Sequence, residues 1–301
     1  MANKTKKAPL FIKVSGEPRT VRLESLDTTS LFKQEDVEKL SPIDIYTKRN
    51  KALMVKLGML DREGHIDSIN DRDLYNFFLL GMVSNVESYF RHLIRELILF
   101  DSVSYKHCLE QPLTYAAAIH HKTELLPEAL LEQCTFISLD NIKNTTKSFL
   151  DITINKQGAD QKELIECISS FEQLCHLRHC IVHRAGLLGS RNAVKLGLER
   201  HKGFFEKPIF LDLNFLQESN AISLNCVKNY NNFIFNSIVK RYIENNKSNI
   251  YWNYNKDKKW FSKYYQLFNS DLLNAESAAR GNPHYNSKKA YDELRDYYST
   301  A

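Results

Sequence analysis

The sequence predicts a mainly α-helical protein, and two observations carry this prediction. Glycine and proline number only 10 and 7 among 301 residues, which is few for a β-sandwich or for an array of linked modules. Two long segments without proline, 71–100 and 161–183, repeat apolar residues at the period of a buried helix. We therefore expect a helical bundle of about four to six helices over residues 71–245.

An N-terminal extension is predicted to precede the bundle, over residues 1–70. It begins with a small β-hairpin whose strands are 10–14 and 20–23, because two short apolar runs flank a Ser-Gly-Glu-Pro turn. A helix is predicted at 42–59, where Ser41 supplies the N-cap and a proline occupies the first helical position.

The bundle and the tail contain further elements. Within the bundle, helices are predicted at 112–135, 139–152 and 221–245. Residues 187–217 are predicted as irregular, apart from a strand at 208–213. Residues 246–301 are predicted as a C-terminal extension of irregular structure with two short helices, rich in aromatic and basic side chains.

Composition and charge exclude several classes of protein. Hydrophobic residues make up 43% and charged residues 26% of the chain, which excludes a wholly disordered protein. The net charge of +5 permits an anionic partner without requiring one. No apolar run is long enough to span a membrane, and the N-terminus has no apolar core typical of a signal peptide. Six cysteines without a CxxC pair indicate free thiols in a reducing cytoplasm.

Two predicted helices carry a charged residue on an apolar face. On a helical wheel, Arg178 falls within the apolar stripe of segment 161–183, and a buried guanidinium needs an anionic partner. Glu87 falls among apolar side chains of segment 71–100, away from the polar stripe of that helix. Glu87 therefore pairs either with Arg178 across the bundle or with Arg91 one turn along its own helix. The stripe that includes Arg178 consists of Leu164, Ile168, Phe171, Cys175 and Val182.

Three histidines form a separate flank of the same helix. His176, His179 and His183 have the i, i+3, i+7 spacing that can place three imidazoles around a metal ion. No acidic or cysteine ligand joins them at a recognised spacing, so we expect no metal. The sequence also lacks GxxxxGK[ST], GxGxxG, GxSxG and HExxH, which removes the enzyme classes that these motifs identify.

The segment 174–186 reads Leu-Cys-His-Leu-Arg-His-Cys-Ile-Val-His-Arg-Ala-Gly. Its Arg178-His179-x-x-x-His183 pattern resembles the R-polar-x(3–5)-H signature of HEPN-domain ribonucleases. The upstream segment Asn-Val-Glu-Ser-Tyr-Phe-Arg-His also resembles a family helix that places an acidic residue before an aromatic-Arg pair. The resemblance covers residues 71–245 and implies a HEPN-like helical bundle.

The resemblance implies a metal-independent endoribonuclease that needs no cofactor. In this family the RNA 2′-hydroxyl attacks the adjacent phosphate and leaves a 2′,3′-cyclic phosphate. By carry-over, His183 acts as the general acid/base and Arg178 holds the phosphate. His179 supports them at the polar position, and Glu87 holds Arg178 in place.

The resemblance also implies partners and a biological role. Arg178 and His183 lie about 140° apart on an ideal helix, so one helix does not easily direct both at one phosphate. Family members form two-fold homodimers with a composite active site, and many act as toxins, in abortive infection or in antiviral defence against phage. The resemblance thus implies a cytoplasmic enzyme that does not bind a membrane. Such an enzyme needs control by an antitoxin or a sensor partner.

Segment 251–265 interleaves aromatic residues with lysines. Lys258, Lys259, Trp260 and Lys263 are therefore candidates for RNA binding through base stacking and phosphate neutralisation. The alternative is that the aromatic side chains pack this segment onto the bundle, with the lysines in solvent.

A different class of function also fits these residues. Some HEPN-like bundles bind nucleotides, RNA or proteins as regulatory modules and cleave nothing. In that case Arg178 is a structural residue, and the loss of His183 leaves binding intact.

Overall fold

The computed structural model describes residues 14–15, 28–32, 39–120, 122, 125–155, 158, 161–282 and 285–300. Within these ranges the protein is mainly α-helical, as predicted, with twelve α-helices and no strand. The chain divides into two compact units, Met1–Lys39 and Leu40–Ala301. In the first unit the described residues form a turn at 14–15 and one 3₁₀ turn at Thr29–Leu31. Apart from residues 14–15, the predicted β-hairpin lies outside the described residues.

All twelve helices belong to the second unit. The four longest form its core, and the others cover or extend it. They are α1 (Pro42–Arg62), α2 (Arg72–Phe100), α3 (Ser102–Cys108), α4 (Tyr115–His120), α5 (Leu126–Leu131), α6 (Leu139–Leu150), α7 (Lys162–Arg184), α8 (Ser190–His201), α9 (Leu213–Asn245), α10 (Tyr254–Phe268), α11 (Asp271–Ala279) and α12 (Ser287–Thr300).

The long amphipathic helices were predicted well, and their caps explain their limits. The helices predicted at 42–59, 71–100, 139–152 and 161–183 are α1, α2, α6 and α7, each within three residues of its predicted ends. The side chain of Ser41 accepts from the backbone N–H of Asp44 and so caps α1, as its position before a proline indicates.

The predictions for the less regular segments were wrong in several places, and α9 begins eight residues before the predicted start at 221. The helix predicted at 112–135 is two short helices, α4 and α5. No strand forms at 208–213: Pro208 makes one isolated bridge to Leu187, and α9 begins at Leu213, where Asp212 accepts from a backbone N–H as the N-cap. Helix α8 lies in the segment that was predicted as irregular. The helix was not predicted because Gly197, with a φ of 105°, interrupts it after only two turns. The tail has three helices rather than two.

The core of the second unit is centred on Phe90 of α2. This fully buried ring stacks on Phe136 at 5.5 Å between centroids and meets Tyr230 of α9 edge-on at 4.6 Å. It also lies 6.5 Å from the ring of Phe171 on α7. Aromatic contacts of this kind add to the free energy of apolar burial. One side chain thus joins α2, α7 and α9.

Buried carboxylates attach the other helices to this core. Asp101, the N-cap of α3, accepts from Arg241 of α9 at 2.6 Å, and the same guanidinium donates to the last carbonyl of α6. Asp44 of α1 accepts from Ser270 and from backbone N–H groups at the start of α11. Asp257 of α10 accepts from the hydroxyl of Tyr291 on α12. Each carboxylate has its charge satisfied by donors from another element.

Two further features concern the helices and the cysteines. Over the described part of the chain, no helix combines the length and the apolar content that crossing a membrane requires. The six cysteines carry free thiols.

Candidate active site at the end of α7

The HEPN-like motif lies on the last turns of α7. The helix ends at Arg184, because Ala185 and Gly186 both adopt the left-handed conformation and the N–H of Gly186 donates to the carbonyl oxygen of Cys180 at 3.1 Å. A side chain at Gly186 would contact Asn76 near the start of α2, so α2 and α7 run in opposite directions. The motif therefore lies at the N-terminal end of α2.

Arg178 and Glu87 form an ion pair across the α2–α7 contact, with 4.0 Å between Nη2 and Oε1. This observation decides between the two partners predicted for Glu87. Arg91 is engaged elsewhere: its guanidinium donates to the carbonyl oxygens of Leu131 and Cys134 and lies over the ring of Phe136. Arg91 fastens the 131–136 segment to α2 and leaves Glu87 to Arg178.

The pair leaves donors of Arg178 available. A separation of 4.0 Å is an ion pair but too long for a hydrogen bond. Within the described ranges, the Arg178 guanidinium donates no hydrogen bond, and the side chain is about one-third exposed. Burial raises the pKa of the Glu87 carboxyl, and the charges of Arg178 and Arg91 offset only part of that rise. Arg178 is thus held by charge at a place where its N–H groups face solvent.

The α7 histidines form a row that runs to the end of the helix. The rings of His179 and His183 lie 4.6 Å apart between centroids, and His176 lies 3.9 Å from Glu172 one turn earlier. His176 and His179 are partly buried, whereas His183 is exposed. Val182 is 48% exposed, so its prediction as part of the buried stripe was wrong. The side chains of the last turn of α7 from Val182 to Arg184 are exposed.

The row of histidines does not converge on a metal site. Throughout the described residues, no three His, Cys, Asp or Glu side chains are placed to hold one ion. His176 is directed to Glu172, and His179 and His183 lie one after the other along the helix.

A basic surface that the sequence did not reveal lies beside this row. After Gly189 the chain turns back into α8, where Nδ2 of Asn192 donates to Sγ of Cys180 on α7 at 3.1 Å. Arg191 and Lys195 of α8 are exposed. The sequence did not predict this basic surface, because residues 187–217 contain no long apolar period and tertiary packing places α8 against α7.

Burial and neighbouring positive charges favour the neutral form of His176 and of His179. Burial is the main cause that lowers the pKa of His176 and of His179 below 6.5. Arg191 contributes to both shifts, and Lys195 contributes to that of His176. Since the unfolded chain binds more protons at these sites, their contribution to stability falls as the pH drops below 6.5.

The predicted RNA-binding residues of the C-terminal extension lie on α10. Trp260 stacks on Tyr242 of α9 at 4.6 Å between centroids, so the packing role that the sequence left open is the one observed for this ring. Lys263 lies 4.8 Å from the centre of the Phe100 ring. Lys258 and Lys259 are exposed, and their role in RNA binding stays a prediction.

The placement of α8 predicts a specific pattern of histidine titration. In NMR titrations, we expect His176 and His179 to titrate below 6.5 in the wild type. Arg191→Gln should raise both midpoints, because its charge acts on both rings, whereas Lys195→Gln should raise that of His176 alone. The acidic group that faces His176 is Glu172, and the other basic groups that face His179 are Arg178, Arg184 and His183.

Arg200→Gln is the matched control for this titration, since it removes an exposed arginine from α8 beyond the break at Gly197. Unchanged midpoints in the Arg191→Gln protein would contradict the placement of α8.

Comparison of the chain with protein-family models, with curated proteins and with solved structures finds no match. The resemblance of segment 174–186 to HEPN-domain ribonucleases therefore rests on these residues alone. Any function must be argued from the geometry around Arg178, His179 and His183.

Proposed function

We propose that this protein is a metal-independent endoribonuclease whose active site is centred on Arg178 and His183. One observation carries the proposal: Glu87 holds Arg178 by charge alone, 4.0 Å away, and leaves its donors open beside a row of imidazoles that ends at exposed His183. A cation held next to an imidazole, which can accept and donate a proton, is what cleavage of a phosphodiester requires.

The chemistry of the proposed reaction assigns a task to each residue. The RNA 2′-hydroxyl loses its proton to an imidazole, and its oxygen forms a bond to the adjacent phosphorus. The bond from phosphorus to the 5′-oxygen breaks, and that oxygen takes up a proton. The products are a 2′,3′-cyclic phosphate and a 5′-hydroxyl. Arg178 stabilises the charge that develops on the phosphoryl oxygens, and His179 supports it.

The need for both a base and an acid favours a homodimer. One His183 accepts the proton of the 2′-hydroxyl, and His183 of the second subunit donates to the leaving oxygen. A two-fold arrangement brings both motifs to one cleft, so Arg178 and His183 need not be directed at the phosphate from one helix. The exposed last turn of α7 is the part of the motif that a second subunit reaches.

The family resemblance supplies the biological part of the proposal. The enzyme works in the cytoplasm as a toxin or in abortive infection, an antiviral defence, and an antitoxin or a sensor protein controls it. RNA is the substrate.

A second function is favoured by one feature of the same site. Arg178 pairs with Glu87 between two core helices, as an arginine with a purely structural role also does. On this alternative the protein is a non-catalytic bundle that binds nucleotides, RNA or a protein as a regulatory module.

RNA cleavage in EDTA tests the proposal. We expect wild-type protein to cut RNA and to leave 2′,3′-cyclic phosphate ends, which product analysis identifies. His183→Ala should lower the rate by about 10²- to 10⁴-fold because a proton-transfer group is lost. Arg178→Ala should lower it by about 10²- to 10³-fold because the developing charge loses its donor.

Matched controls come from other parts of the fold. His107→Ala alters a histidine of α3 that faces Asp151, and Arg280→Ala alters an exposed arginine after α11. Both should keep wild-type rates. Wild-type rates in the Arg178→Ala and His183→Ala proteins would contradict the proposal. RNA that stays intact with wild-type protein but binds to it would favour the alternative.

Mixing wild-type protein with an inactive variant tests the composite site. After subunit exchange with an equal amount of His183→Ala protein, about half of the dimers are mixed and have one His183 in place of two. Only about a quarter of the dimers keep both histidines, so we expect the activity of the wild-type subunits to fall to about half of its initial value. Wild-type protein diluted with the same volume of buffer is the control, and an activity that does not fall would show that each site is formed within one chain.

A further inference from the structure

Basic side chains line the contact between α7 and α8. We call this surface the seam; it consists of His176 and His179 on α7 and Arg191 and Lys195 on α8. Spaced by four residues, Arg191 and Lys195 lie on one side of the regular first part of α8, about 6 Å apart along its axis. His176 and His179 lie opposite them on α7. The rings of His179 and His183 are in contact, so the seam leads directly to the candidate general acid/base.

The packing that forms this seam is fixed by buried contacts. Leu188 and Ala193 are buried together with Cys180 of α7, and Asn192 donates to the Cys180 sulfur. Arg191 and Lys195 flank these buried residues, so the packing of α8 places both cations beside α7. The charges of both cations reach His176, and that of Arg191 also reaches His179.

The cations of the seam are not neutralised by the protein. Glu172 lies at one end, where it faces His176 and accepts from the backbone N–H of Leu139. Glu206 lies at the other end, where it pairs with Arg184. Among the residues that the structure describes, neither Arg191 nor Lys195 has an acidic partner. Two cations without an acidic partner, side by side on α8 next to His176 and His179, form a site for an anion with more than one charge.

We propose that Arg191 and Lys195 bind the backbone phosphates of the RNA strand on one side of the phosphate that is cut. This proposal rests on the ribonuclease function proposed above and adds the part of the protein that holds the substrate strand. A single strand fits because its phosphates repeat along a line, as the two cations do along α8. The line continues past His179 to His183 and Arg178, where cleavage takes place.

Binding and cleavage by the full-length chain test this proposal together. The variant Arg191→Gln/Lys195→Gln removes both charges and keeps most of each aliphatic stem. The probe is a fluorescein-labelled single-stranded oligoribonucleotide of mixed sequence, and anisotropy reports its binding to protein that carries His183→Ala. Arg200→Gln/Lys202→Gln is the control, since it removes the same net charge from exposed positions beyond the Gly197 break.

The expected result has three parts. The seam variant should bind the oligonucleotide about tenfold more weakly than the control, and the slope of log K against log salt should fall by about 1.4, since two phosphate contacts are lost. With His183 intact, its KM for RNA should rise about tenfold, whereas kcat should change far less. The charge-conserving swap Arg191→Lys/Lys195→Arg should restore most of the binding.

Failure of this proposal can be told apart from failure of the ribonuclease function. If wild-type protein cuts RNA but the seam variant matches the control in affinity, salt slope and KM, the seam is not the binding site, and the ribonuclease stands. If wild-type protein cuts no RNA but binds it through Arg191 and Lys195, the seam stands, and the ribonuclease fails. If wild-type protein neither cuts nor binds RNA, both are overturned. A seam variant that melts well below the control is replaced by the two single variants.

Discussion

The packing of α2, α7 and α9 around Phe90 is the constraint on which the other features of the site depend. The ring of Phe90 contacts Phe171 of α7 and Tyr230 of α9, and the contact with Phe171 sets the axial register between the antiparallel helices α2 and α7. Glu87 is one turn before Phe90, and Arg178 is two turns after Phe171. The packing that buries the aromatic rings therefore also brings the Glu87 carboxylate to the Arg178 guanidinium. The last turn of α7 is exposed.

The ion pair shows how the fold can hold a cation without using its hydrogen-bond donors. A guanidinium on an apolar face is costly to bury unless an anion neutralises it. Here the anion is near enough to balance the charge and too far to accept a hydrogen bond, with 4.0 Å between Arg178 and Glu87. The contrast is Arg241, which donates to Asp101 at 2.6 Å and to a carbonyl oxygen, and so serves the packing of α9.

The sequence predicted the features that a helical period encodes and missed those that tertiary packing decides. A wheel of α7 places Arg178 inward, and a wheel of α2 does the same for Glu87, so their pairing was one of the two alternatives that the sequence allowed. Val182 has the period of the buried stripe, but it lies on an exposed side of the last turn of α7. The basic surface of α8 was not predicted, because Gly197 breaks the period, and tertiary contacts of Asn192 and Ala193 with Cys180 bring α8 to α7.

The central claim is that the RNA 2′-hydroxyl is the nucleophile at a site formed by Arg178 and His183. The most direct measurement compares an oligoribonucleotide with its 2′-O-methyl analogue of the same sequence, each incubated with wild-type protein in EDTA. The account predicts that the RNA is cut to 2′,3′-cyclic phosphate and 5′-hydroxyl ends, whereas the analogue binds and stays intact. Cleavage of the analogue, or RNA products with 5′-phosphate ends, would contradict it.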